Sequence, residues 1–154
     1  MRELVDAVMA ALRAAGLTVT EKFPNFEAKR LRQPVVAVSL RALRGEGSGL
    51  TDYLGETEDG TARYGKRCEA EFLCRIAAPI GSSTREPTET VCAALLGGVA
   101  GMNVRSVTLD EVGFDTVADC YMQDVTLTAG VYLYAEQEDI DAAFEDFKLE
   151  CECK

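Results

Sequence analysis

The chain has 154 residues, enough for one domain built around one hydrophobic core. Apolar residues make up 47% of it and charged residues 27%, the balance of an ordinary globular protein. No apolar run approaches the roughly eighteen residues of a transmembrane helix, and a net charge of −10 opposes binding to DNA, RNA or an anionic membrane by phosphate neutralisation.

The charge is unevenly spread. Residues 1–44 hold eight basic and four acidic side chains, a net of +4, and the remainder holds eight basic and twenty-two acidic, a net of −14. The basic part includes the cluster Lys29-Arg30-Leu31-Arg32, which reads either as a solvated turn before a strand or as a docking patch for an acidic partner, another copy of this chain among them. The opening Met1-Arg2-Glu3-Leu4-Val5-Asp6 places acids where a signal peptide is basic, and its apolar residues are periodic. A secretory leader is therefore not expected.

Leu4, Val5, Val8, Met9 and Leu12 recur at helical spacing, which predicts a helix over residues 2–15 that stops at Gly16. A short strand is expected over 17–21, ending at Phe23-Pro24. Pro34 opens a second strand through Leu43, with Val36, Val38, Leu40 and Ala42 on one face and Val35, Ala37, Ser39, Arg41 and Leu43 on the other. Residues 44–66 read as a long connection rich in Gly, Thr, Glu and Asp. So long a loop is uncommon in a compact domain unless it has a function. Its apolar residues Leu50, Tyr53 and Leu54 make it a candidate interface arm.

Strict alternation predicts a strand over 67–78, with Cys68, Ala70, Phe72, Cys74 and Ile76 facing a core and Arg67, Glu69, Glu71 and Arg75 facing water. Ser83-Thr84-Arg85-Glu86 fits a capping box, and Pro87 is tolerated in the first turn of the helix that follows, up to Leu96. Strands are then expected at 104–109, 112–115 and 120–135. In the acidic segment 136–154 a short helical turn is expected around 140–144, and Phe147, Leu149 and Cys151 are expected to form a last edge strand. The expected class is α+β: a mixed, mainly antiparallel sheet with the N-terminal helix and a second central helix packed on it, in a single domain spanning 1–154.

Catalytic chemistry finds little support. The chain contains no histidine, which removes the usual general base and the histidine-dependent nucleophile systems. No phosphate-binding loop occurs; the segment Gly45-Glu46-Gly47-Ser48-Gly49 opens no helix. Glu69 and Glu71 share a strand face at a spacing suited to acid–base work, but they alternate with arginines, which favours a solvated sheet face. Asp139, Asp141, Glu145 and Asp146 lack the spacing and central glycine of a calcium loop. Of the six cysteines, Cys68 and Cys74 suit sheet packing, Cys92 falls in the central helix, Cys120 starts a strand, and Cys151-Glu152-Cys153 lacks the second close pair that a four-cysteine zinc site needs. With no leader expected, the thiols are expected to stay reduced. Neither an enzyme nor a metal or cofactor site is expected.

The element order resembles a known family. An N-terminal helix, the strand Gln33-Pro34-Val35-Val36-Ala37-Val38 and the phrase Tyr53-Leu54-Gly55-Glu56 are followed by Cys68-Glu69-Ala70-Glu71-Phe72-Leu73-Cys74-Arg75-Ile76-Ala77-Ala78-Pro79. A capped helix with Cys92, the run Val131-Tyr132-Leu133-Tyr134-Ala135 and Phe144-Glu145-Asp146-Phe147 complete it. This is similar to the tail terminator, or tail completion, proteins of phages, prophages and contractile tail-like bacteriocins. The resemblance implies a structural subunit of a virion tail, assembled in the host bacterial cytoplasm. Copies would form a ring, typically a hexamer, that caps the tail tube and meets the head connector or the last sheath layer. It implies no cofactor, no membrane and no specific nucleic-acid binding. On this reading Lys29, Arg30, Arg32, Leu50, Tyr53, Leu54 and Glu56 are the expected subunit or partner contacts. Another head–tail joining or tail tube protein is the nearest alternative, and tube proteins would polymerise into open tubes. A small cysteine-based metal protein or enzyme is the alternative of another class, and it would carry bound zinc or iron.

Overall fold

The computed structural model describes residues 2–21, 31–45, 52–56 and 62–134, which form two helices and seven strands. In chain order these are α1 (Arg2–Ala14), β1 (Val19–Thr20), β2 (Val35–Gly45), β3 (Asp52–Glu56), β4 (Ala62–Pro79), α2 (Arg85–Leu96), β5 (Asn103–Leu109), β6 (Gly113–Asp115) and β7 (Cys120–Tyr134). This is the α+β class expected from the sequence.

The sheet is built on one long antiparallel pair. β4 and β7 stay in register from Gly65↔Tyr134 to Pro79↔Cys120 without a shift. β2 and β3 follow one another along the outer side of β4, and β5 and β6 along the outer side of β7, so the path across the sheet is β1-β2-β4-β7-β5. β1 pairs β2 in parallel, over Val19↔Val36 and Thr20↔Ala37. The β3–β4 hairpin therefore projects from one end of the sheet and the β6–β7 hairpin from the other, separated by the roughly 55 Å length of an eighteen-residue strand.

Both helices lie on one face. Val8, Met9 and Leu12 of α1 and Val91 and Leu95 of α2 pack with Val36 and Val38, with Cys68, Ala70, Phe72, Cys74 and Ile76, and with Val125, Leu127 and Val131. The period-two alternation of β4 and β7 produces this directly, since every second side chain points at the helices. α1 ends in a paired left-handed cap: Gly16 has φ 85°, its N–H bonds the Arg13 carbonyl at 2.9 Å, and the Leu17 N–H bonds the Leu12 carbonyl at 3.2 Å.

Three local expectations are corrected. Residues 44–66 are not one loop: Arg44 and Gly45 end β2, 52–56 form β3 and 62–66 begin β4, because Asp52, Tyr53, Gly55 and Glu56 find ladder partners on β4. In β2 a bulge at Arg41 inserts one residue between the Leu40↔Phe72 and Ala42↔Glu71 pairs, so Leu43 joins the core face and Ala42 leaves it. The capping box does not form. Thr84 is the N-cap without a side-chain bond, and the Ser83 hydroxyl instead accepts the Arg85 N–H at 3.1 Å. The arginines paired with Glu69 and Glu71 are Arg41, Arg44 and Arg105 from the flanking strands, while Arg75 pairs Asp124. The elements expected in 136–151 lie outside the described residues, as do Cys151, Cys153 and the acids at 139–146.

Candidate interaction surface

The sheet face away from the helices carries a lattice of ion pairs. Arg75 donates Nε and Nη2 to the two carboxylate oxygens of Asp124, at 2.8 and 2.7 Å, directly across the β4–β7 pair. Arg105 donates to Glu69 at 2.9 Å, and Arg41 and Arg44 approach Glu71 and Glu69 at 3.7 to 3.8 Å. Two of these arginines, Arg41 and Arg105, are the extra residues of edge-strand bulges. Bulges and charged side chains both discourage a foreign strand from adding to an edge. This face is polar and internally neutralised, which suits solvent better than a binding site.

Cys74 and Cys92, on the helix side of the sheet, and Cys120, at the start of β7, are poor nucleophiles. Burial pushes Cys74 up to about 12, with a smaller push from the neighbouring Cys92, and burial also raises Cys92. Cys120 is raised by burial and by the nearby carboxylates of Asp115 and Asp119. A thiol held protonated neither attacks nor ligates readily. Among the described residues no three His, Cys, Asp or Glu side chains are grouped to hold a metal, and no helix is long and apolar enough to cross a membrane.

The apolar surface lies elsewhere. Beyond the N-terminus of α2 the helix layer stops while the core face of the sheet continues. Leu109, Val112, Phe114 and Tyr121 are there 40 to 51% exposed, and Val117 at the hairpin tip is 92% exposed. Phe114 and Tyr121 face each other across the β6–β7 pair, rings edge to face with centroids 5.1 Å apart. Tyr121 and Val112 also line an open groove of about 600 Å³ with residues 81–85. The hairpin is rigidly mounted. The Asp115 carboxylate accepts the N–H groups of Val117 and Ala118 at 2.8 and 3.0 Å, which fold the turn. At its base, Gln123 accepts from the buried Thr88 hydroxyl at 2.9 Å and donates to the Asp110 carbonyl at 3.1 Å, tying α2, β7 and the β5–β6 bend together.

The contacts expected from the sequence fall apart from this patch. Arg32 is exposed just before β2, beside Gln33, whose amide donates to the Thr18 hydroxyl at 3.0 Å. Tyr53 is 58% exposed on β3 and stacks edge-on with Tyr64 at 5.8 Å, at the opposite end of the sheet from β6. Leu54 and Glu56 belong to β3, but their side chains lie outside the described residues, and so do Lys29, Arg30 and Leu50. Of the expected contacts, Arg32 thus lies by the β1–β2 edge and Tyr53 on the β3–β4 hairpin. The patch at 109–121 was not anticipated. Its trace in the sequence is residues 110–124, which hold five acids and no base around Val112, Phe114, Val117 and Tyr121.

No family model matches the sequence, and no curated protein does. The chain is similar to a sheath/tube terminator. That protein comes from PVC, an extracellular contractile injection system, and its cryo-EM structure is of the extended state. The two share 13% identity with a TM-score of 0.49, over 90% of this chain. The chain spans 58% of the length of that terminator.

Proposed function

We propose that the chain is a tail terminator: a structural subunit that assembles head to tail into a ring, closes the end of a tail tube, and offers its outer surface to a head connector or the last sheath layer. The observation that carries this reading is the unlike character of the two sheet edges. One edge is the short parallel β1 beside β2, where the exposed Arg32 precedes β2. The other is β5 and β6, with an acidic, apolar hairpin. A two-fold dimer uses one self-complementary patch, whereas a ring needs two different surfaces that fit each other.

The chemistry of the chain supports a structural role. Its ionisable groups on the open sheet face neutralise one another, Cys74, Cys92 and Cys120 are held protonated, and it has no histidine. The ring, six-fold by analogy with the resembled family, would form in the host bacterial cytoplasm and remain in the particle's tail without a cofactor. The β3–β4 hairpin with Tyr53 projects from the sheet end opposite the β6–β7 hairpin and is the part proposed to meet the tube or connector.

Negative-stain microscopy of the purified 16.7 kDa chain with a native mass measurement tests this. Closed rings with a mass several times that of the monomer are expected. Long open tubes would make it a tube subunit instead, and a chain that stays monomeric at high concentration contradicts the ring.

A further inference from the structure

Resting on the head-to-tail reading, we propose that the β6–β7 hairpin is the male half of the subunit contact. Its uncovered apolar face receives the basic stretch that ends at Arg32 from the next copy. Three observations lead there.

The first is that the patch is a piece of unfinished core. Leu109, Phe114 and Tyr121 stand on the same sheet face as Val107, Leu127 and Val125, yet α2 begins too late to cover them. Isolated exposed apolar residues are ordinary, but a contiguous set on a rigid hairpin marks a contact.

The second is charge. Residues 110–119 hold Asp110, Glu111, Asp115 and Asp119 and no base. Asp115 is occupied by the turn, and Asp110, Glu111 and Asp119 are exposed around the apolar residues. Such a surface calls for a partner that combines cations with apolar side chains. The stretch Lys29-Arg30-Leu31-Arg32 has that composition, and complementary potential of this kind sets register and suppresses wrong partners.

The third is position. β1 and β6 lie at opposite edges, about four strand spacings or ~19 Å apart, but at the same end of the sheet, since Val35 pairs Ala77 and Asp115 pairs Cys120. Arg32 is fixed beside β2. Within one molecule Arg32 stays at the far edge from the hairpin acids. A second copy, displaced sideways in the plane of the sheet, brings them together, and repetition of that step is the operation of a ring. The bulges at Arg41 and Arg105 restrain the alternative, direct strand addition along β2 and β5.

Charge reversal with rescue tests the contact. Val117→Asp, Glu111→Arg and Arg32→Glu are each expected to melt like wild type, because all three side chains are exposed, and to weaken assembly on the order of tenfold or more. The double variant Glu111→Arg/Arg32→Glu restores opposite charges across every interface and is expected to recover assembly in part. Rings that form equally well in all three single variants overturn the hairpin contact and leave the ring standing. Assembly lost in the single variants and unrecovered in the double one overturns the basic stretch as the occupant. A wild-type chain that remains monomeric overturns the ring reading itself, and this contact with it.

Discussion

Arg105 reaches Glu69 across the backbone of Gly130. Its Nη1 lies 2.9 Å from the carboxylate, and a β-carbon built on residue 130 would stand 3.6 Å from its Nε. Glu69 and Gly130 are register partners, so the missing side chain is what opens the path across β7. The bulge that adds Arg105 to β5 and the glycine that makes room for it act on the same ion pair.

Two substitutions at this position should have opposite signs. Gly130 lies in regular strand without a positive φ, and 3.6 Å is ordinary contact, so Gly130→Ala is expected to stabilise by about 0.5 kcal/mol through the unfolded chain. Gly130→Leu must displace Arg105 and is expected to destabilise by about 1 kcal/mol. Urea titration of both variants checks the pair.

The Thr88–Gln123 bond is buried at both ends. Thr88→Val keeps the shape and leaves the Gln123 oxygen without its donor, for an expected loss of about 1–3 kcal/mol. Because Gln123 also holds the Asp110 carbonyl, amide exchange should quicken across the β5–β6 bend in the same variant. Unchanged exchange there would separate the hairpin from this anchor.

A thiol pushed up to about 12 is almost wholly protonated at pH 8. Native protein treated with iodoacetamide at that pH should leave Cys74 unmodified, while the half-buried Cys92 reacts slowly. Peptide mass mapping before and after addition of guanidinium reads both.

Asp115 is held below its ordinary value by the Ala118 and then the Val117 N–H groups. A lowered folded pKa contributes stability that is complete above the unfolded value, near 3.8, and is lost as pH falls through the lower folded value. Asp115→Asn keeps an acceptor without the charge. Its stability deficit relative to wild type should therefore be constant from pH 7 to about 5 and shrink as the pH falls below about 4. Thermal melts across that range measure it.

The long regular elements were readable because one period governs each of them. Val125, Leu127, Ala129 and Val131 alternate without interruption, and β7 follows that pattern against β4 from Cys120 to Tyr134. What escaped depends on partners the pattern does not contain. A bulge such as that at Arg41 shifts parity by one residue, and Ala42 next to Leu43 reads equally well on either face. Asp52-Tyr53-Leu54-Gly55-Glu56 has acids at its ends and a glycine inside, and becomes a strand only because β4 extends far enough to pair it. The apolar hairpin was hidden for another reason. Val112, Phe114 and Val117 look like core in a linear chain, and only the point where α2 begins shows that nothing covers them.

For a subunit that stops a tube from growing, the most direct measurement is tube length. Tube protein from the same particle, polymerising with increasing amounts of this chain, should give tubes that shorten progressively and carry a ring at one end only. Tubes that elongate unchanged, or that take up the chain along their whole length, would contradict that role.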